Sequence, residues 1–134
     1  MEIKKIKFEI HGDERGKLVS LEFGKNIPFL VKRVYYIYDT SPGVSRGFHA
    51  HRELKQLLIA IKGSCLLKLD NGRERAQVLL NNPSEGCLLD SRIWREMHDF
   101  SEDCVLVVLA NNEYEESDYI RDYEQFILEA NCDT

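Results

Sequence analysis

The stretch that decides the fold runs from Gly43 to Gly63 and reads GVSRGFHAHRELKQLLIAIKG. At its centre, His49 and His51 are separated by one alanine. Alternate side chains of an extended strand share a face, so the two imidazoles are expected to point the same way. Gln56 follows, and then an apolar run that ends at a glycine. The pattern predicts a strand with two histidines on one face, followed by a buried strand.

The spacing within this stretch resembles the first motif of the cupin family. Five residues separate Gly43 from His49, and one separates His49 from His51. Four residues then separate His51 from Gln56, and six separate Gln56 from Gly63. In metal-binding cupins the position of Gln56 is normally Glu. The resemblance implies a cupin-like antiparallel β-sandwich or jelly roll.

Composition sets limits on the class of protein. The 134 residues are enough for one domain and too few for two, so we expect a single domain over 1–134. A net charge of −5 argues against nucleic-acid binding, and no apolar run has the length of a signal peptide or membrane span. We therefore expect a cytoplasmic protein. Its four widely spaced cysteines are interpreted as buried or unreactive thiols: Cys65, Cys87, Cys104 and Cys132.

Hydrophobic patterning predicts many short strands and one terminal helix. Besides the strand of the two histidines, the expected strands are 3–10, 18–23, 29–39, 57–69 with a break at 62–64, 75–80, 87–89, 92–97 and 104–110. Asp70-Asn71-Gly72 favours a hairpin turn. Apolar residues recur at helical spacing near the end, which predicts a helix over about 117–129 capped by Ser117 or Asp118. These elements indicate an all-β fold with one C-terminal helix.

Two strands of this set are apolar on both faces, at 57–61 and 105–109. In a two-sheet domain the outer face of such strands meets water unless it is covered. We expect the terminal helix to cover one such face and a second subunit to cover the other. The pattern therefore predicts a homodimer.

A metal centre is not expected. A cupin metal site takes a Glu where Gln56 stands and a third His from the second motif, at the position that aligns best with Arg95. A fixed cation cannot serve as a ligand of a divalent ion. The prediction is a protein without metal or other cofactor. A histidine pair facing Arg and Tyr is instead suited to proton transfer near neutral pH.

Phrases over about residues 5 to 127 resemble the sugar-nucleotide 3,4-ketoisomerases that act on dTDP-4-keto-6-deoxyglucose. The phrases are 15–16, 27–29, 32–36, 46–51, 63–65, 94–97 and 117–123. The resemblance implies a metal-free cupin dimer that moves the keto group from carbon 4 to carbon 3. Its product would feed an aminotransferase making 3-amino-3,6-dideoxyhexoses for surface polysaccharide. Some members have His where Arg95 stands, which leaves open the role of Arg95 and the configuration at carbon 4.

The chemistry of that reaction needs a base for the proton on carbon 3 and delivery of a proton to carbon 4, through an enediol. We expect His51 to be the main proton shuttle and His49 its partner on oxygen or on the second carbon. Arg46, or a tyrosine near the site, would stabilise the enediolate.

The diphosphate of such a substrate needs guanidinium partners, because Arg forms forked hydrogen bonds to phosphate oxygens. The candidates are Arg15, Arg33, Arg46 and Arg95. Tyr35 lies on the same strand face as Arg33 and is a further candidate contact, as is Gln56.

Two other classes of function remain open at this point. A dTDP-sugar 3,5-epimerase would share the substrate, and its hairpin also has an Arg-Gly pair. A non-catalytic, metal-free sugar-nucleotide-binding cupin would share the fold and the dimer but show no turnover. Proton exchange with deuterated water separates the three classes.

Overall fold

The computed structural model describes residues 1–132, which form twelve strands, one 3₁₀ turn and one helix. The strands are β1 Lys4–Lys7, β2 His11–Asp13, β3 Gly16–Leu18, β4 Arg33–Ile37, β5 Arg46–His51, β6 Gln56–Lys62, β7 Cys65–Asp70, β8 Arg75–Leu80, β9 Glu85–Leu89, β10 Trp94–His98, β11 Val105–Ala110 and β12 Tyr119–Ile120. The 3₁₀ turn is Glu116–Asp118 and the helix, α1, is Tyr123–Cys132.

Ten strands form two five-stranded sheets. The first has the order β1-β9-β6-β11-β4 and the second the order β12-β5-β10-β7-β8, while β2 and β3 form a separate hairpin. Strand pairs are antiparallel throughout both sheets. This is the antiparallel, cupin-like sandwich with one C-terminal helix that the sequence predicts.

The main core lies between the two sheets. Along β6, Leu58 and Ala60 face this core, and Leu106 and Val108 do so along β11. The alternate residues of the same strands, Leu57 and Ile59 in β6 and Leu109 in β11, face the other side of the first sheet and are also buried. Both strands are thus buried on two faces, as their apolar runs predict.

The outer face of the first sheet is covered by the N-terminal part of the same chain. Phe8, Ile27 and Phe29 pack there against Leu57 and Ile59. The prediction that the terminal helix covers an outer face of these two strands is therefore wrong. A second subunit is not needed to cover this face either. The segment between β3 and β4 is free to make this cover because it is not in a sheet.

The terminal helix begins later than expected. The sequence pattern predicts one helix over 117–129, but Tyr119–Ile120 pairs with His51–Ala50 as an edge strand of the second sheet. Asp122 accepts a hydrogen bond from the backbone of Gln125 at 3.2 Å and so caps α1 instead of Ser117 or Asp118.

The helix α1 packs on the second sheet through Phe126, which is buried against Trp94 and Ile120. Truncating a buried phenylalanine typically costs about 3–5 kcal/mol, so Phe126 is the main anchor of the helix. Within residues 1–132, no helix has the length and apolarity needed to cross a membrane.

Several strands are shorter than predicted because the chain leaves the sheets to form the outer cover. The predicted strand 3–10 is reduced to Lys4–Lys7, 18–23 contributes only its first residue, and 29–39 is reduced to Arg33–Ile37. The return strand Arg75–Leu80 agrees with its predicted bounds.

The cysteines are free thiols, and Cys65, Cys87 and Cys104 are buried. Burial raises the pKa of Cys65 to about 12 and that of Cys87 to about 11. A thiol with such a pKa is protonated near neutral pH and is a poor nucleophile. This agrees with the interpretation of Cys65 and Cys87 as buried, unreactive thiols, whereas Cys132 is exposed.

Candidate active site

A cavity of about 500 Å³ opens between β4, β5 and the segment that precedes α1. Its lining combines one histidine with arginines and aromatic rings. The lining residues are Arg33, Tyr35, Tyr36, Ile37, Ser45, Arg46, Gly47, Phe48, His49, Met97, Tyr119 and Arg121. Another cavity, of about 520 Å³, is lined by Arg52, Glu53 and Asp118 among others and includes neither histidine of the motif.

A β-bulge in β5 sets the position of the histidines. Arg95 pairs with His49 and Glu96 with Gly47, so Phe48 is the extra residue. Gly47 and Phe48 have positive φ angles of 89° and 60°. A Cβ on Gly47 would lie 2.9 Å from the carbonyl oxygen of Arg95, so only glycine fits there. Beyond the bulge the strand is regular and places both histidines on one face.

The two imidazoles lie together at unequal depths. Their ring centroids are 5.0 Å apart in an edge-to-face arrangement. His49 is half-buried and lines the cavity, whereas His51 is 1% exposed and lies behind the wall. The ring of Tyr119 contacts both, with centroids 5.0 Å from His49 and 4.3 Å from His51.

A buried cation lies behind this wall. Arg95 is 1% exposed, and its guanidinium donates to the backbone carbonyl of Ile93 at 3.0 Å and to Oε1 of Gln56. The amide of Gln56 in turn donates to the hydroxyl of Tyr35 at 3.2 Å. Burial lowers the pKa of Arg95 to about 10, which still leaves it charged near neutral pH. Arg95 is a candidate substrate contact by sequence, but in the structure its side chain lies in the interior.

Burial and this cation together keep both imidazoles neutral. Burial is the larger cause and the charge of Arg95 the next, and they lower the pKa of His49 to about 4 and that of His51 to about 2. Both side chains are therefore free bases near neutral pH. A neutral imidazole on a cavity wall can remove a proton from a bound molecule.

The cavity also has a cationic side with one unpaired hydrogen-bond donor. The guanidinium of Arg33 lies between the rings of Tyr35 and Tyr114, at 4.5 Å and 5.4 Å from their centroids. Its Nη1 is buried and has no hydrogen-bond partner among residues 1–132. Arg46 lines the cavity nearby. An anion bound here would satisfy the unpaired donor.

Arg15 is the predicted site residue that lies apart from this cluster. It stands at the tip of the β2–β3 hairpin, where its guanidinium pairs with Asp13 at 2.7 Å and its side chain is 86% exposed. It does not line the cavity of the histidines. Of the other predicted residues, Arg33, Tyr35, Arg46 and His49 line the cavity, and those behind its wall are His51, Gln56 and Arg95.

The segment 114–121 supplies residues that the sequence did not single out. Tyr119 and Arg121 line the cavity, and the guanidinium of Arg121 lies 4.1 Å from the ring centroid of Tyr119 while pairing with Glu116 at 2.7 Å. Both residues lie in the helix that the sequence pattern predicts over 117–129, and that pattern gives them no position on a sheet. The alternation of Tyr119 and Arg121 was the available signal for an extended segment.

The described part of the chain has no group of three or more His, Cys, Asp or Glu placed to hold a metal ion. The guanidinium of Arg95 donates a hydrogen bond to Gln56, and these two residues stand at motif positions where metal-binding cupins have ligands. These donors do not fit a divalent cation.

The fold and site define a class: a cupin-like β-sandwich with a cationic cavity and a neutral histidine pair at its wall. The chain belongs to the family described as "FdtA: WxcM-like, C-terminal", whose model matches residues 1–131.

Known relatives are similar over almost their whole length. A protein of Aneurinibacillus thermoaerophilus named TDP-4-oxo-6-deoxy-alpha-D-glucose-3,4-oxoisomerase is 50% identical over 126 residues, which are 94% of this chain and 91% of that protein. The crystal structure of a 3,4-ketoisomerase from Helicobacter canadensis is 46% identical, with a TM-score of 0.94 and 98% of both chains covered. A variant of the 3,4-ketoisomerase QdtA from Thermoanaerobacterium thermosaccharolyticum, solved in complex with TDP-4-keto-6-deoxyglucose, is 42% identical, with a TM-score of 0.95 and coverage of 98% and 95%.

Proposed function

We propose that this protein is a 3,4-ketoisomerase that moves the keto group of dTDP-4-keto-6-deoxy-D-glucose from carbon 4 to carbon 3. The relatives named for this reaction, at 42–50% identity over nearly full length, support the substrate class. The observation that supports the chemistry is the neutral His49 on the wall of a cavity that also contains Arg33. The 3-keto product is a suitable substrate for an aminotransferase on the route to a 3-amino-3,6-dideoxyhexose.

The reaction balances as two proton transfers at carbon and two at oxygen. The C3–H bond breaks, its proton goes to a base, and the electron pair forms the C3–C4 double bond as the oxygen on carbon 4 gains a proton. The enediol then loses the proton of the oxygen on carbon 3, and carbon 4 gains one. No oxidant is needed, so the side chains only bind, orient and move protons.

We assign the carbon protons to His49. From the sequence, His51 is the expected carrier and His49 its partner, but the geometry supports the reverse order. His49 lines the cavity, while His51 is 1% exposed and contacts Asp118 from behind the wall. The base that meets a carbon–hydrogen bond must reach the substrate directly, and His51 is then the assisting group.

Three groups are candidates to stabilise the enediolate. Burial raises the pKa of Tyr35, so its hydroxyl stays protonated and can donate a hydrogen bond to a negative oxygen in the cavity. The buried charge of Arg95 lies behind the same wall, in a region of low dielectric where a charge acts over a longer range. Arg46, at the cavity wall, is the third candidate.

The diphosphate is assigned to Arg33 and Arg46. Arg33 has an unpaired donor at the cavity, and Arg46 lines it without a recorded ion pair among the described residues. Arg121 is less available because Glu116 already neutralises it. The exposed hairpin position of Arg15 does not support a direct contact with a ligand in this cavity.

We further propose a homodimer that uses the edge strand β4. Alternate residues of this strand and its continuation, Val34, Tyr36 and Tyr38, are 57–62% exposed although they are large and apolar. An open strand edge with an apolar face is a typical surface for pairing with a second chain. Free buried thiols and a nucleotide-sugar substrate are consistent with a cytoplasmic location.

The experiment that tests the function is incubation of the protein with dTDP-4-keto-6-deoxyglucose in deuterated water, followed by NMR. A ketoisomerase produces a 3-keto sugar with deuterium at carbon 4. A 3,5-epimerase would label carbons 3 and 5 and keep the keto group on carbon 4, and a binding protein would leave the sugar unlabelled. Either of those results would contradict the proposal.

A further inference from the structure

Asp118 lies directly behind the histidine pair, at the end of the 3₁₀ turn. One carboxylate oxygen, Oδ1, accepts a hydrogen bond from the backbone of Glu53 at 2.9 Å, and Oδ2 accepts one from the backbone of Leu54 at 3.2 Å. The same Oδ2 lies 3.2 Å from Nδ1 of His51. The backbone carbonyl of Asp118 also accepts a hydrogen bond from Arg52 at 2.9 Å. The carboxylate is therefore fixed against the end of β5.

We propose that Asp118 is a positioning residue that holds His51 in the tautomer with hydrogen on Nδ1, which leaves Nε2 as the bare proton acceptor. This role in catalysis rests on the proposed ketoisomerase function. An ionised carboxylate only accepts hydrogen bonds, and both oxygens of Asp118 accept from the backbone, so the hydrogen of the contact with His51 belongs to Nδ1. A neutral imidazole has one N–H, and Nε2 must then be bare.

The environment of Nε2 supports this assignment. The atom is buried and has no hydrogen-bond partner in the described part of the chain. A buried N–H without an acceptor would lose a hydrogen bond that water could supply, whereas a bare nitrogen in the same place keeps a lone pair for a proton in transit. The neighbouring rings are those of His49, at 5.0 Å, and Tyr119, at 4.3 Å.

The tautomer decides whether His51 can assist the reaction. With hydrogen on Nδ1, a proton released from a hydroxyl or from the other imidazole can form a bond to Nε2, and the resulting imidazolium faces the carboxylate of Asp118. In the opposite tautomer Nε2 already has a hydrogen and cannot accept another. In the Ser-His-Asp triad, replacing the corresponding Asp by Asn preserves the geometry yet lowers kcat about 10⁴-fold through the wrong tautomer.

The test is ¹⁵N NMR of protein labelled in histidine, together with kinetics of Asp118→Asn. In the wild-type protein we expect the His51 signals to show a protonated Nδ1 and an unprotonated Nε2, with His51→Asn used to assign them. The amide of Asp118→Asn can donate to Nδ1, so the Nε2–H tautomer should appear. We expect kcat to fall by about 10- to 10³-fold with KM changed by less than about 3-fold.

Asp122→Asn is the matched control, because it makes the same change four residues away at the cap of α1. It should leave both the spectrum and kcat unchanged. A wild-type spectrum with hydrogen on Nε2 of His51 would overturn the proposal, and so would an altered tautomer in Asp118→Asn with unchanged kcat. If Asp118→Asn does not fold, the wild-type spectrum decides alone. Absence of isomerase turnover in the wild type would contradict the proposed function and leave the tautomer to be judged by the spectrum.

Discussion

The acid limb of the pH–rate profile tests the electrostatic account of the site most directly. His49 has a pKa of about 4 in place of its ordinary value of 6.5, through burial and then the charge of Arg95. At about pH 5, a base with a pKa of 6.5 is about 3% neutral and one with a pKa of 4 about 90% neutral, so the two cases differ about 30-fold in kcat/KM. We expect kcat/KM to stay nearly flat from about pH 7 to pH 5 and to fall only as the pH approaches 4.

The assay is the initial rate of 3-keto sugar formation, followed by NMR at subsaturating substrate. Because the pKa is lowered, the unfolded chain binds more protons than the folded one between about pH 6.5 and 4, and stability falls as the pH falls through that window. Circular dichroism at each pH, and return of the sample to pH 7, separate this loss of stability from loss of the base. Half-maximal kcat/KM near pH 6.5 in folded protein would show that the catalytic base has an ordinary histidine pKa.

A companion variant isolates the second cause of the shift. Arg95→Met removes the charge and retains a long apolar side chain, so the inflection should move upward from its wild-type value while remaining below 6.5, since the burial of His49 persists. An inflection that stays at the wild-type pH in folded Arg95→Met would show that this cation does not set the pKa of His49.

Four further outcomes are expected. His49→Asn should lower kcat by at least about 10³-fold and His51→Asn should lower it by less, while both variants still bind dTDP. A larger loss of kcat in His51→Asn would show that His51 carries the protons of carbons 3 and 4. Arg33→Gln should weaken dTDP binding about 10- to 100-fold by calorimetry, whereas Arg73→Gln at the exposed β7–β8 turn should not; equal affinities would remove the diphosphate assignment. Elemental analysis should find no stoichiometric transition metal, and activity should survive chelation; one Zn, Fe or Mn per chain that is needed for turnover would contradict this. Sedimentation should give a dimer that Tyr36→Lys dissociates, and a wild-type monomer at micromolar concentration would exclude the edge-strand interface.

Patterns of short range were readable from the sequence. The period of two along a strand places His49 beside His51 and Arg33 beside Tyr35, and both pairs are in contact in the structure. The return strand Arg75–Leu80 follows from a turn signal and the strand pattern after it. These features depend on neighbours along the chain, and local geometry is enough to predict them.

Features that depend on distant parts of the chain could not be predicted. The burial of His51 results from Tyr119, almost seventy residues later, which lies over its ring after β12 pairs with β5. The sequence does not reveal this strand because Tyr119 and Ile120 are compatible with the helical period of 117–129 as well as with the period of two of a strand.

The depth of Arg95 and the remoteness of Arg15 have the same origin. The local sequence does not distinguish an arginine that is buried beneath a sheet from one that is exposed at a hairpin tip. Arg95 is buried because β10 lies between β5 and β7, and Arg15 is exposed because β2 and β3 pair only with each other. The fold class and the residue types that share a strand face follow from local patterns in the sequence. Which histidine reaches the cavity depends on the packing of the sheets, because burial is a property of the assembled chain.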